Sequence, residues 1–288
     1  SSAASDVYKR QFNPLWGIIV TLSLRSLNRP HIYSAGLFFR YRGEFMGSNV
    51  KTYTKKELVG YLAGMFGQNL IYNIVSTGLY FYFQNVICLP AMALGWIMTI
   101  ARIWDAINDP MMGTIVDKTK SKWGKCRPYL IIFPGIIGLI TILSFLNGNY
   151  AAADTTASKV LIVAWAAISY IAWGMCFTIC DIPLWGITSL MTEDENDRSK
   201  ILGLARMVAG IGGISVLVVQ IAQALGSVFA GKVDKNAADY DVLVQQANQK
   251  GFIVTVIIMT VIAVIFFECA GLFTREKAVS YTHLRAHE

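Results

Sequence analysis

Charge is scarce in this sequence. Of its 288 residues only 15% are Asp, Glu, Lys or Arg, whereas 55% are hydrophobic, and the mean hydropathy is +0.48. Ordinary soluble domains carry about 25% charged residues. A chain with so little charge has too little polar material to cover a surface that faces water, so we expect a membrane protein.

Histidine and cysteine are also few. The only histidines, His31, His283 and His287, lie near the two ends of the chain, so its middle has no imidazole chemistry. The cysteines show neither a CxxC motif nor the Cys/His spacing of a metal site. We interpret all five as packing thiols: Cys88, Cys126, Cys176, Cys180 and Cys269.

The two ends of the chain differ in character from the rest. The first eleven residues and residues 279–288 resemble translated sequencing-adapter segments, which are set aside before a fold is considered. Because Met46 looks like a genuine start, we interpret the remainder of residues 1–45 as upstream read-through without structure. We expect a structured unit at residues 46–278, and a natural protein that continues beyond it.

Long uncharged runs organise the structured unit. Residues 58–101 contain no Asp, Glu, Lys or Arg, and this run is too long for one membrane helix of about 20 residues. The region of Pro90 divides it. We predict six transmembrane helices, at about 58–83, 93–117, 128–153, 160–180, 207–231 and 251–267.

Basic residues are distributed unequally around these six spans. One side has Lys51, Lys55, Lys56, Lys118, Lys120, Lys122, Lys125, Arg127, Arg198, Lys200, Arg275 and Lys277, and the other has only Lys159, Lys232, Lys235 and Lys250. Because Lys and Arg are enriched in cytoplasmic loops, we predict a cytoplasmic N-terminus in a cell membrane of the bacterial inner type. This topology accounts for the net charge of +7 better than nucleic-acid binding does.

Five ionisable residues fall inside the predicted spans or directly at their ends, where charges are costly and indicate function by default. These residues are Arg102, Asp105, Asp109, Asp181 and Arg206. The first three share one helical face, since they are three and four residues apart. A rise of about 1.5 Å per residue places the other two at a similar depth, in the inner half of the bundle. We therefore expect all five to meet.

Three carboxylates against two guanidiniums leave one negative charge without a partner. Repulsion and desolvation would then favour a proton or a bound cation at this place. Asn108 and Thr178 can add neutral oxygen atoms, which suit hard cations. The competing interpretation is a buried salt-bridge network that only holds helices together.

Asp181 opens the sequence Asp-Ile-Pro-Leu-Trp. We expect Pro183 to kink its helix and free backbone carbonyls. Trp185, four residues after Asp181, can present an aromatic face beside a charged acceptor, and this pair suits the C–H faces and hydroxyl groups of a sugar. The alternative is a tryptophan that anchors the helix at the membrane interface.

Two segments carry a resemblance to a known family: WDAINDPMMGTIVDKTKSKWGKCRPY at residues 104–129 and DIPLW at residues 181–185. They resemble the glycoside-pentoside-hexuronide:cation symporters, the melibiose permease group within the major facilitator superfamily. The resemblance covers about residues 58–278. It implies an all-α membrane fold, a six-transmembrane-helix bundle that forms the N-terminal half of a twelve-helix protein whose C-terminal half is missing here.

The resemblance also implies roles for single residues. A cation site for Na⁺ or H⁺ would use Asp105, Asn108, Asp109, Thr178 and Asp181, with Arg102 as the charge partner of the acids. The sugar would contact Asn69, Asp181, Trp185 and Arg206. A cytoplasmic loop associated with gating would contain Gly113, Asp117, Gly124 and Lys125.

One of these positions departs from the family pattern. Melibiose permease has a sugar-binding aspartate where this sequence has Asn69. An amide still donates and accepts hydrogen bonds, but it lacks the charge that strengthens them. The identity of the sugar is therefore left open.

The sequence predicts a secondary transporter that imports a sugar or glycoside with Na⁺ or H⁺ by alternating access, without enzymatic activity and without a cofactor other than the coupling cation. Its expected partners are the sugar, the lipid bilayer and the missing half, and no nucleic acid. The alternatives are an uncoupled facilitator, a drug or organic-anion transporter of the same superfamily, and a non-transporting sensor. An intramembrane aspartyl hydrolase is disfavoured, because such enzymes need acids on two helices around one water, whereas Asp105 and Asp109 share one.

Overall fold

The computed structural model describes residues 53–212, 216–234 and 239–277, and within these ranges every regular element is helical. Helix α1 (Lys55–Asn73) is followed by two π-helical segments, Ile74–Leu79 and Tyr82–Val86. The other helices are α2 (Ala91–Lys118), α3 (Arg127–Phe145), α4 (Thr156–Met191), α5 (Glu195–Gly212), α6 (Val216–Ala230) and α7 (Tyr240–Phe273). The predictions for residues 1–45 and 279–288 fall outside the described residues.

Local sequence explains where the first helices begin. Thr54 and Glu57 form a capping box at the start of helix α1, in which each side chain accepts a hydrogen bond from the other residue's backbone N–H. Pro90 caps α2, so the division of the long uncharged run at Pro90 is confirmed. The Thr155 hydroxyl accepts the Ser158 N–H at 3.1 Å, which caps the start of α4.

Within the described ranges, three helices are long and apolar enough to cross a membrane: α3, α4 and α7. Helix α6 is apolar but shorter, and α1 and α2 carry the polar and charged side chains of the candidate site within their lengths. These polar residues lower the mean hydropathy of α1 and α2. The all-helical, multi-pass character is therefore supported, whereas the count of six spans stays a prediction.

Several predicted boundaries were wrong. The third span ends at Phe145 instead of 153, because the Asn147 side chain accepts the Gly148 N–H and bends the chain. The fourth continues to Met191, since helix α4 runs through Pro183 without interruption. The sixth is longer at both ends, and the fifth falls on parts of α5 and α6, between which residues 213–215 are outside the described part.

Helix α7 packs against α1, α3 and α6, while α4 lies against α2 and α3. The contact between α1 and α7 is very close, since a Cβ atom at Gly67 would collide with the Ala263 carbonyl and the Phe267 amide. Gly60 and Gly64 meet α7 in the same way. These three glycines therefore allow the close packing of α1 against α7.

The opposite ends of these helices are joined by hydrogen bonds. The Tyr82 hydroxyl, in the second π-helical segment, donates to the Phe145 carbonyl at 2.7 Å. The Gln249 amide donates to that same hydroxyl at 3.0 Å and lies 2.7 Å from the Asn147 carbonyl. These bonds hold the ends of three helices together and leave α2 and α4 to frame the candidate site.

Candidate functional site

A cavity of about 230 Å³ lies between α2, α4 and the end of α1. Three carboxylates line it, those of Asp105 and Asp109 from α2 and that of Asp181 from α4. Arg102 supplies the one guanidinium among the lining residues. The predicted meeting of the three acids in one place is therefore confirmed.

Arg102 and Asp105 form the most open part of this cavity. The Arg102 Nη1 atom lies 3.6 Å from Asp105 Oδ2, with side-chain exposures of 67% and 30%. Asp105 also approaches α4 closely, because a Cβ atom at Gly174 would stand only 3.3 Å from Asp105 Oδ1. The absence of a side chain at Gly174 thus leaves room for this carboxylate.

Asp109 is linked to α4 through Thr178. The Thr178 hydroxyl lies 3.1 Å from Asp109 Oδ1 and also 3.1 Å from the Gly174 carbonyl, so one proton serves two acceptors. Asn108, the neighbouring residue, is only 2% exposed. Its Nδ2 has no hydrogen-bond partner within the described ranges, and neither has the indole nitrogen of Trp104, which lines the cavity.

Asp181 is held by two donors that point at the same oxygen. Gln68 Nε2 donates to Asp181 Oδ1 at 2.7 Å, and Trp185 Nε1 donates to it at 3.2 Å. Trp185 therefore touches Asp181 as predicted, but through the edge of its ring, and it is not among the lining residues. Sequence reasoning missed Gln68, because an uncharged polar residue inside an apolar helix belongs to no motif.

Two predicted sugar contacts lie apart from the cavity lining. The Asn69 amide donates to the Met65 carbonyl at 2.9 Å and to Gln68 Oε1 at 2.6 Å. Arg206 is exposed on α5 and does not line the cavity, so the expectation that five charged residues meet was wrong. The rise along a helix does not fix the direction in which a side chain such as Arg206 points.

The departure of Arg206 changes the charge of the site. The lining residues carry three acids and one guanidinium, a formal charge of −2 instead of the expected −1. Among the residues that the structure describes, no three His, Cys, Asp or Glu side chains gather closely enough to hold one metal ion. Each acid instead has its own neighbour, and the assignment of Na⁺ ligands stays a prediction.

Aromatic side chains form the wall that faces these acids. Trp173 and Phe177 stack with their ring centres 4.8 Å apart, and Tyr72 of α1 lies 5.6 Å from Phe177. Tyr170 stacks on the other side of Trp173 at 6.5 Å. All four line the cavity, and the sequence analysis missed them because aromatic residues in apolar helices are commonly packing residues.

The predicted gating residues lie at the end of α2 and after it: Gly113 and Asp117 belong to the helix, whereas Gly124 and Lys125 follow it. Nothing lies within 4 Å of a Cβ atom placed on Gly113, and Asp117 is exposed. Gly124 has a φ of +108°, a conformation that favours glycine. The Lys125 backbone N–H donates to Glu276 Oε2 at 2.7 Å.

Comparison with known proteins defines the class. The sequence model of the family described as MFS/sugar transport protein matches residues 60–287. The chain belongs to this family, within the glycoside-pentoside-hexuronide:cation symporter group of the major facilitator superfamily that its motifs resemble.

Curated relatives agree with this family. The chain is 36% identical over 173 residues to an uncharacterized symporter, YnaJ, of Bacillus subtilis (strain 168), which covers 59% of this chain and 35% of the relative. It is 27% identical over 221 residues to an isoprimeverose transporter of Lactiplantibacillus pentosus, with 77% and 42% covered. A glucuronide carrier protein homolog of Escherichia coli (strain K12) is 28% identical over 155 residues, with 54% and 32% covered. The chain thus spans about a third of the length of the curated relatives that it matches.

Proposed function

We propose that this chain is the N-terminal, six-span half of a secondary transporter that carries a sugar or glycoside together with Na⁺ or H⁺ across a cell membrane. The observation that carries the proposal is the cavity in which three carboxylates of α2 and α4 face an aromatic wall with a single guanidinium beside them. The N-terminus of this half is cytoplasmic in the proposal, in agreement with the distribution of Lys and Arg.

The acids supply the cation side of the coupling. A formal charge of −2 in a partly enclosed space favours the entry of a cation, because each added positive charge lowers the repulsion among the carboxylates. Asp105, Asp109 and the Thr178 hydroxyl offer oxygen ligands of the kind that hard cations prefer. Once the cation has neutralised these acids, the sugar-bound state is favoured, and the same coupling free energy makes the bound sugar favour the cation.

The sugar side of the coupling rests on Asp181 and its surroundings. Asp181 accepts hydrogen bonds from Gln68 and Trp185 at one oxygen only, so its other oxygen can accept from a sugar hydroxyl. The indole N–H of Trp104 is a donor without a partner among the described residues, and a ligand oxygen would satisfy it. The aromatic wall suits the apolar faces of a sugar ring.

The cavity is small for a whole substrate. Its volume of about 230 Å³ lies below the range of about 300–1,000 Å³ that is usual for ligand sites. In the proposed transporter the absent half of the protein completes the wall, and the chain alone binds too little of the substrate to move it. An organic anion, the main alternative cargo, would be repelled by the net negative charge of the lining residues.

The proposal is tested by transport measurements on the full-length protein. Labelled isoprimeverose, with a glucuronide as the anionic comparison, is offered to proteoliposomes with an inward sodium gradient, with an inward proton gradient, and with neither. Saturable uptake that one gradient drives against a concentration difference supports the symporter. Uptake of equal rate in all three conditions would identify an uncoupled facilitator instead.

The isolated chain serves as the matched control. Residues 46–278 are expected to insert into the membrane but to give no saturable uptake, since half of the cavity wall and the moving partner bundle are missing. Saturable uptake by this part alone would show that the chain is not a half of a larger transporter.

A further inference from the structure

The four residues after helix α7 are tied to the ends of three other helices. Glu276 and Lys277 make these ties, at the end of the bundle where α1 and α3 begin and α4 finishes. The proposed cation and sugar sites use neither residue.

Glu276 occupies the N-terminal end of helix α3. Its carboxylate accepts the backbone N–H groups of Lys125 at 2.7 Å, Cys126 at 2.8 Å and Arg127 at 3.0 Å. Three consecutive amides at a helix start are unpaired within their own helix and carry partial positive charge. A carboxylate that takes all three therefore closes the start of α3 from a segment about 150 residues away along the chain.

The loop before α3 is shaped to receive this carboxylate. A Cβ atom on Gly124 would collide with all three atoms of the Glu276 carboxylate group. The positive φ of Gly124 turns the chain so that the next amides face Glu276. The Arg127 side chain adds a hydrogen bond in the same direction, from Nε to the Gly271 carbonyl at 3.0 Å.

Lys277 ties the same segment to α4 and α1. Its backbone N–H donates to the Leu190 carbonyl at 2.8 Å, and its ammonium group lies 3.0 Å from Glu57 Oε2. Burial raises the pKa of Glu57, but the Thr54 backbone N–H and Lys277 outweigh burial and hold that pKa below its usual range. The carboxylate that caps α1 thus also receives the end of α7.

We propose that Glu276 and Lys277 form a clasp that fixes the loop between α2 and α3, so that this loop and the first turn of α3 move only when Glu276 leaves the three amides. The loop is the one that the family resemblance associates with gating. The chain that follows α7 is thereby connected mechanically to it. A change in the position of that following chain would bias the loop between a held and a released state.

Cys126 provides a natural reporter of the clasp. Its side chain is 3% exposed, and its backbone N–H is one of the three donors to Glu276. Burial, with the nearby charges of Glu276 and Asp117, raises the pKa of Cys126 to about 12. A held clasp therefore predicts a thiol that reacts slowly with maleimides, since the thiolate is the reactive form.

The test measures how fast N-ethylmaleimide modifies Cys126 in membranes that contain the full-length protein. In this protein the other four cysteines of the chain, and any in the remainder, are replaced by serine. The substitution Glu276→Ala should raise the rate about tenfold or more, the change expected when a hydrogen bond to a charged group is lost. Lys277→Met should raise it less, because the backbone bond to Leu190 remains. Arg275→Gln alters an exposed neighbour in the same segment and should leave the rate unchanged.

Two further measurements separate release of the clasp from other causes. Glu276→Asp keeps the negative charge near Cys126, but its side chain is too short to reach three amides. An increased modification rate in this variant supports the clasp. An unchanged rate would assign the effect of Glu276→Ala to charge alone and would overturn the clasp. A second protein retains only Cys180, which is fully buried in α4. An equal increase at Cys180 and Cys126 would mean that the whole bundle has loosened, which also overturns the clasp. The modification rates are measured without sugar or cation, so the test of the clasp does not depend on whether the proposed transport function is correct.

Discussion

The contact between α1 and α7 and the space between α2 and α4 are built on opposite principles. Along the first, glycines bring two helices so close that no added atom fits, and Phe66 meets Phe266 edge to face at 5.3 Å. In the second, Asp109 meets α4 through the Thr178 hydroxyl and Asp105 pairs with Arg102 on its own helix, both beside an open volume. The comparison teaches that stability and chemistry are separated in this bundle, with one pair of helices closely packed and the other left polar and open.

The largest expected effect concerns the α1–α7 contact. Gly67→Ala forces a Cβ atom against the backbone of α7 and should lower the free energy of unfolding by roughly 2–3 kcal/mol, as overpacking does in close-packed interiors. Chemical unfolding of the purified chain in detergent measures this. The matched control is Gly95→Ala, where nothing lies within 4 Å, and a gain of about 0.5–1 kcal/mol is expected there. Equal stability of the two variants would contradict the description of the contact.

The next effect concerns cation coupling, where we expect function to change and stability to stay nearly the same. In the full-length protein Asp105→Cys or Asp109→Cys should reduce the stimulation of sugar transport by Na⁺ or H⁺ by about tenfold or more, since even indirect partners of a bound ion contribute at that scale. Some sugar binding should remain, and the free energy of unfolding should change by less than about 0.5 kcal/mol. Ion-driven uptake that is undiminished in both variants would remove these acids from the cation site.

Substitutions of Asp181 and of Trp185 should differ in which ligand they affect as well as in the size of the effect. Asp181→Asn removes a charged acceptor from the cavity and should weaken sugar and cation binding together. Trp185→Ala removes the indole N–H that donates to Asp181 Oδ1, a hydrogen bond worth roughly 1 kcal/mol, so sugar affinity should fall several-fold while the cation still binds. Calorimetry with ion and sugar titrated separately distinguishes the two. The control is Trp96→Ala, because Trp96 is 62% exposed on α2. Should Trp185→Ala bind sugar as the control does, Trp185 is an interface anchor.

The smallest expected effect comes from a comparison of two glycines on helix α4. Gly174→Ala places a methyl group 3.3 Å from Asp105 Oδ1 and should shift cation affinity on the order of twofold, a fraction of a kcal/mol. Gly186→Ala, on the same helix, meets Cys126 Sγ at an ordinary 3.8 Å and should leave that affinity unchanged. An identical cation affinity in both variants would mean that Asp105 does not need the space over Gly174.

Short-range patterns predicted the part of the site that lies on one helix. The spacing of Arg102, Asp105 and Asp109 fixes a common face by helix geometry alone, and the structure confirms it. Arg206 was misplaced because a residue count gives height along a helix but not the rotation of one helix against another. The bonds between Gln68 and Asp181 and between Glu276 and the start of α3 join residues more than 100 positions apart, and no local pattern encodes them.

The length of helix α4 shows a similar limit. Pro183 removes one backbone donor, and the predicted fourth span ended at residue 180, yet the helix continues to Met191. Packing of Leu184 and Ile187, both fully buried, favours continuation more than the missing hydrogen bond opposes it. Asp181 and Trp185 are consequently held on a rigid helix instead of at a helix end.

The π-helical segment Ile74–Leu79 determines how the two halves of the first helix are aligned in rotation. Such a segment holds more residues per turn than an α-helix does, and Ser76 within it lines the cavity. If the same residues adopted ordinary α-helical winding, everything after the segment would rotate by about 100° for each residue that the wider turn absorbs. Tyr82 would then leave the Phe145 carbonyl and the Gln249 amide, although Gly67 and its contacts with α7 stayed in place. The length of this stretch, counted in single residues, is therefore as strictly specified as the identity of any side chain in it.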